Sequence, residues 1–219
     1  MKKRVLLLAV SCKTGGLCPG GLDLDNPSEW IRIVEDDGCA GAVQGYEIDF
    51  ANPLDVIEFE GRPMPEGAQK ENWVIDNDSC RRLGKGVDFI DGITTERELL
   101  DWAYNNYSYH RFWGNYKNHL TDDELNNLDV PSESIMRVSD VRIYQDDNQK
   151  AKIEFSWTGS KYPIKWVSMT DQEYYDIIKS QDVNIDDAYI VISIPKECWY
   201  DEHNDAYKAF KFVSKVYSL

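Results

Sequence analysis

The stretch Ser11-Cys12-Lys13-Thr14-Gly15-Gly16-Leu17-Cys18-Pro19-Gly20-Gly21 follows an apolar run from Val5 to Val10 and constrains the fold more than any other segment. Four glycines and a proline fall within the seven residues from Gly15 to Gly21. Such a run reads as neither helix nor regular strand, because proline lacks an N–H and glycine loses the most backbone freedom on ordering. Glycine is chosen where φ must turn positive or where another group must come close to the main chain. The run is therefore expected as a loop behind a buried first strand.

Two readings of that loop stand side by side. Successive glycine amides can form an anion-binding concavity, with Lys13 as a point charge beside it. The other reading is purely structural. A P-loop is excluded, because it places its Gly-Lys-Ser/Thr after the glycine run, whereas here Lys13-Thr14 precede it. A dinucleotide Gly-x-Gly-x-x-Gly also fails, and no βαβ unit follows.

The totals narrow the class. A hydrophobic share of 42% with seven Trp, thirteen Tyr and seven Phe describes a folded chain. Lys2-Lys3-Arg4 before Val5–Val10 has the outline of a signal peptide, but the apolar part is too short and runs into Lys13. It reads as the first strand of a cytoplasmic protein with no membrane segment. The five cysteines, at 12, 18, 39, 80 and 198, form neither a disulfide framework nor paired zinc ligands, so free thiols and no metal are expected. The formal charge of −15 excludes a sequence-blind nucleic-acid coat, which depends on a broad positive footprint. It leaves a small ligand, a protein partner or a narrow site.

Alternation and turn signals give the organisation. Val5–Val10, Trp30–Val34, Leu54–Phe59 and Trp73–Ile75 read as strands of a first unit over 1–90. Thr94-Thr95-Glu96-Arg97-Glu98 opens a capped helix, and Leu120-Thr121-Asp122-Asp123-Glu124-Leu125 carries a second cap signal. These belong to a helical or irregular insert over 91–130, whose aromatic rings are expected to pack it onto its neighbours. From 131 to 219 the β pattern returns, with Met136–Val138, Val141–Tyr144, Lys152–Trp157, Tyr162–Val167, Ala188–Ile194 and Lys211–Val216 as strands. One helix, near Asp171 to Ser180, interrupts them. A mainly β fold follows: two OB-like five-stranded barrels with a helical insert between them.

Several residue patterns admit chemistry. Trp30 and Arg32 lie two apart and share a strand face, where Trp can stack a base and Arg bind its phosphate. Equally, Trp30 can plug the barrel while Arg32 pairs with a buried carboxylate. Glu71-Asn72-Trp73 can read a base edge through the amide, or place Asn72 in a turn and Trp73 in a core. The three histidines make no catalytic triad or His-x-x-x-His ligand pair. Cys18 has no positioned base beside it and reads as a small core residue.

Read together, Lys13-Thr14-Gly15-Gly16-Leu17-Cys18-Pro19-Gly20-Gly21, Trp30-Ile31-Arg32, Pro53-Leu54-Asp55-Val56, Gln69-Lys70-Glu71-Asn72-Trp73, Thr170-Asp171, Ile192-Ser193-Ile194 and Tyr207-Lys208 resemble the dual OB-containing domain family. The resemblance spans essentially the whole chain, and the glycine loop is its most specific part. Where the family carries a histidine, this chain has Gln69-Lys70. The resemblance implies two OB barrels, recognition of nucleic acid or a nucleotide, and a bacterial setting among defence or conflict systems. The expectation is a non-enzymatic binding protein without cofactor or metal, its ligand site near Lys13, Gly15, Gly16, Trp30 and Arg32, with Glu71 and Asn72 as second choices. The alternative is an acidic protein-interaction adaptor, or a mimic of nucleic acid, whose negative surface is the working feature.

Overall fold

A computed structural model describes residues 1–13, 16–36, 41–44, 48, 50–76, 78–113, 116–202 and 205–219, with the side chains of Cys12 and Lys13 outside that description. The chain divides into two compact units, residues 1–66 with 70–108 and residues 67–69 with 109–219. Residues 91–130, read from the sequence as an insert, are shared between them.

The first unit is built on β1 (Lys2–Lys13), β2 (Gly16–Asp23), β3 (Trp30–Val34), β4 (Asp55–Pro63) and β5 (Asn72–Ile75). Pairings run β1–β2–β3–β5–β4 and return from β4 to β1, so the strands close on themselves. Among the described strands of this unit, β3–β5 is the parallel pair. A further strand, β6 (Arg81–Lys85), adds to β4. The alternation seen in the sequence fills the interior: Val5, Leu7, Ile31, Ile33, Ile57, Phe59 and Ile75 share one core. The opposite faces of β1 and β3 are buried as well, which is why their sequences read as nearly unbroken apolar runs. Helix α1 (Glu96–Asn106) supplies the cover. Thr95 and Glu98 close its first turn as a reciprocal capping box. Its Leu99 meets Leu6 where Gly86 leaves no room for a Cβ.

The glycine run corrects one expectation. Residues 16–23 are a regular strand, not a loop, and β1 continues through Lys13. Thr14 and Gly15 lie outside the described residues. The register of β1 slips between Leu7 and Ala9, opposite Gly20 and Gly21. A Cβ on Gly21 would overlap the carbonyl oxygen of Leu6, and one on Gly16 that of Val43. Leu17 and Val43 exchange backbone hydrogen bonds of 2.8 and 2.7 Å just beyond. Glycine here permits close approach of backbones within a sheet.

In the second unit come β7 (His119–Thr121) and a short helix, α2 (Asp122–Asn126), capped by Thr121 and Glu124 as the sequence leads one to expect. Then follow β8 (Glu133–Gln145), β9 (Ala151–Ser156), β10 (Ile164–Met169), β11 (Val183–Ser193), β12 (Trp199–Asp201), β13 (Ala206–Phe210) and β14 (Phe212–Ser218). The strands expected at 136–138 and 141–144 are one strand, β8, bent where Asp140 takes φ +51° and the register shifts. A closed barrel runs β8–β9–β10–β14–β11, with β10 and β14 parallel. This is the circuit of the first unit again: first strand to second, second to third, third parallel to fifth, fifth to fourth, fourth to first.

The helix expected at 171–180 is two separate 3₁₀ turns, Gln172–Tyr174 and Ile177–Lys179. Asp171 accepts from the backbone N–H groups of Glu173 and Val216, at 3.2 and 3.0 Å, which ties the segment's start to β14. Tyr174, Tyr175, Ile177 and Ile178 are also weak helix formers. The connection between β11 and β14 folds into a small sheet, β12–β13–β7. Among the described residues, no helix is long and apolar enough to cross a membrane.

Candidate ligand-binding surface

The residues singled out at β3 and β5 do come together, and they are buried. Trp30 is 3% exposed, its indole edge-on to Tyr107 with ring centroids 5.4 Å apart. Arg32 lies opposite Asn72 in the parallel pair and donates its backbone N–H to the Glu71 carbonyl at 3.0 Å. Its guanidinium faces the Glu71 carboxylate at 3.6 Å, both side chains sheltered from solvent. Trp30 thus packs against the segment that follows α1, and Arg32 faces a buried carboxylate. Asn72 sits in β5, buried, and its carbonyl accepts from Met64 at 2.8 Å. Gly16 is the close-approach point against Val43, while Gly15 and the Lys13 side chain fall outside the described residues. The cluster anchors the parallel seam that closes the barrel. Among the described residues of the cluster, Trp30, Arg32, Glu71 and Asn72 are all buried.

An open aromatic surface lies instead on the second unit. Strict alternation from Ile164 would send Trp166 inward. The register shift between Ile164 and Val167 reverses this, leaving Lys165 and Trp166 outside while Val167 and Met169 enter the core. Trp166 takes φ +57° and is 64% exposed. A bulky residue at positive φ is a strained exception. Asn118, just before β7, donates to the Trp166 carbonyl at 3.1 Å and steadies that bulge. The β12–β13 hairpin adds exposed Trp199, Tyr200 and Tyr207. Trp199 meets Phe212 edge-on, with centroids 6.4 Å apart.

Beside Phe212 opens a cavity of about 350 Å³. It lies between the β8–β9 turn, the end of β10 and the 3₁₀ turns, and Met169, Ile178 and Phe212 give it apolar walls. Ser168, Lys150, Gln149 and Thr170 contribute the polar groups. Lys152, next along β9, donates to Ser168 Oγ at 3.0 Å, and burial pulls its ammonium below the usual lysine range.

A second lysine, Lys211, is fully buried between β13 and β14. Its ammonium donates to the carbonyls of Phe112, Trp113 and Lys117 at 2.9, 3.1 and 2.8 Å and sits 4.1 Å from the Phe112 ring centre. Burial pushes it down to about 7. It ties the backbone at Phe112, Trp113 and Lys117 to the start of β14 and is buried from solvent.

The Trp166 surface is absent from the residues picked out by sequence. Its signal, a tryptophan beside an exposed lysine, was indistinguishable from a core position until the bulge set the phase.

Two five-stranded circuits of one topology, each closed by a parallel third and fifth strand, make this a dual OB-fold protein, a class of binding module. The chain belongs to the family described as the Dual OB-containing domain, whose model matches residues 3–216. Among curated proteins, none matches the chain.

Proposed function

We propose that the chain is a non-enzymatic binding module whose second barrel takes single-stranded nucleic acid, or a nucleotide from it, along the outer face of β10. The observation that carries this reading is Trp166, an exposed indole on the third strand, held at positive φ by a bulge. OB barrels bind oligonucleotides on the face of their second and third strands and on the loops after the first and fourth. Trp166 is on the third strand, and Trp199 is on the fourth-to-fifth connection. Stacking on such rings tolerates sequence, because every base has a π-face. The net charge of −15 requires the contact to be local, and Lys150, Lys152 and Lys165 lie on the same two strands and their turn. The thiol of Cys198 is free, which fits a reducing compartment such as the cytoplasm.

Fluorescence anisotropy with short single-stranded DNA and RNA across a salt series tests the reading. Binding should weaken with salt. Trp166→Ala should weaken it by about tenfold, the low end of one lost base stack at ~1–3 kcal/mol. No binding at low salt, or affinity indifferent to Trp166→Ala, would overturn it and return the acidic surface and a protein partner to the front.

A further inference from the structure

The cavity beside Phe212 has a chemistry that the stacking surface does not explain. Among the described residues its lining carries no carboxylate, in a chain with 39 acidic residues. The polar groups it does carry are amides, hydroxyls and ammonium groups. Its size of about 350 Å³ exceeds what a lone inorganic anion needs and falls in the range of small-ligand sites.

Lys152 is the telling residue. Comparably sheltered lysines in this chain find carboxylates: Lys3 pairs with Asp23, Lys208 with Asp201 and Lys215 with Asp171. Lys152 is half-buried, and among the described residues its ammonium makes no ion pair, only the hydrogen bond to Ser168 Oγ. Ser168 accepts that bond, which leaves its own hydroxyl proton to donate, and its side chain lines the cavity. The nearest carboxylate along the turn, Asp146, accepts on Oδ1 from the backbone N–H groups of Asn148 and Lys150, both at 2.9 Å, and its charge acts on Lys152 without forming an ion pair. Lys150 makes no ion pair among the described residues, whereas Lys179 at the rim is held by Asp176 at 2.6 Å. The Lys152 ammonium is not itself part of the lining but lies 3.0 Å from the Oγ of Ser168, which is, and a sheltered cation beside a hydroxyl donor is complementary to an oxyanion. The Phe212 ring and Ile178 give the same space an apolar wall on which a flat ring can lie.

We propose that this cavity is a phosphomonoester site, binding the phosphate of a nucleotide through Lys152, Ser168 and Lys150 with its sugar or base against Phe212. This rests on the reading of the second barrel as a nucleic-acid or nucleotide binder. The phosphate can come from a free mononucleotide or from the phosphorylated end of a strand. The Phe212–Trp199 contact connects the cavity to the exposed aromatic surface, so a strand lying there can place its end in the site.

The test compares otherwise identical oligonucleotides bearing a 5′-phosphate, a 3′-phosphate or hydroxyl ends, together with adenosine monophosphate and inorganic phosphate, against the full chain. One phosphorylated end should bind about tenfold tighter than the hydroxyl-ended strand, the scale of one charge-assisted hydrogen-bond set. Lys152→Met should erase that preference, so that phosphorylated and hydroxyl-ended strands bind alike. Lys152→Arg should preserve much of it, and Ser168→Ala should reduce it in part. If no strand binds but adenosine monophosphate does, and Lys152→Met abolishes this, the cavity site stands and the strand reading falls. If hydroxyl-ended strands bind, phosphate adds nothing and the mononucleotide does not bind, the cavity proposal is wrong while the strand reading survives. A phosphate preference that persists in both Lys152→Met and Ser168→Ala also sinks it, as does binding of none of the probes. Inorganic phosphate matching the mononucleotide would reject the ring contact with Phe212.

Discussion

The two barrels share one circuit and place a tryptophan on the same third strand, yet Trp30 is 3% exposed and Trp166 is 64% exposed. In the first barrel, α1 and Tyr107 cover the outer side of the sheet, so β3 is buried on both faces and Trp30 is core. In the second, the segment between the third and fourth strands is two 3₁₀ turns, and a bulge throws Trp166 outward. Topology is therefore not what decides whether a strand face is a core or a binding surface. The elements outside the circuit decide it. Buried cations differ in the same way: Arg32 faces a carboxylate, whereas Lys211 donates to backbone carbonyls, those of Phe112, Trp113 and Lys117 among them.

The sharpest way to break the comparison is to truncate both indoles. Trp30→Ala should lower stability by about 3–5 kcal/mol, as for other large aromatic core truncations. Trp166→Ala should stay within about 0.5 kcal/mol of the parent, as exposed positions do. Urea unfolding of the two variants measures both. Equal losses would mean that the third strands are not in different environments after all.

Lys211 gives the next effect. Its folded value of about 7 lies below the ordinary 10.5, so above pH 7 the folded chain has released a proton that the unfolded chain keeps. Stability should thus rise between pH 7 and pH 9, by at most about 1.4 kcal/mol per pH unit. Lys211→Met should flatten that slope. A parent protein whose urea midpoint does not move from pH 7 to pH 9 would show that the carbonyl acceptors keep Lys211 charged.

Much of the fold was legible because the apolar spacing and the cap signals are local. The capping boxes at Thr95 and Thr121, the strands around Trp30, Lys152 and Ile190, and the family resemblance could all be read from short windows. The glycine run could not. Whether glycine makes a turn or lets two backbones close up depends on what lies opposite, here Leu6 and Val43, both distant in sequence. The candidate surface was hidden for a related reason. Trp166 changes sides through a bulge of one residue, and period-two reasoning cannot see a phase slip. Arg32, Glu71 and Asn72 were found as a group, but only the three-dimensional seam shows them facing each other.

The smallest predicted effect concerns that phase slip. At an ordinary strand position glycine is worse than alanine. At residue 166 the order should invert, with Trp166→Gly more stable than Trp166→Ala by about 1 kcal/mol, because glycine carries no penalty at positive φ. Paired melting curves would settle the sign, and alanine above glycine would refute the strained bulge.

The parallel third-to-fifth seam has a kinetic consequence. Arg32 must find Asn72, and Ser168 must find Phe212, before either ring of strands is complete. Each meeting closes a segment of roughly 40 residues, an entropic toll levied before the contact gives anything back. Hairpins such as β1–β2 and β8–β9 can form early, but the seams belong to the late side of the folding barrier. A ribosome-bound chain would hold both barrels open until their fifth strands emerged, and the second would be the last to shut.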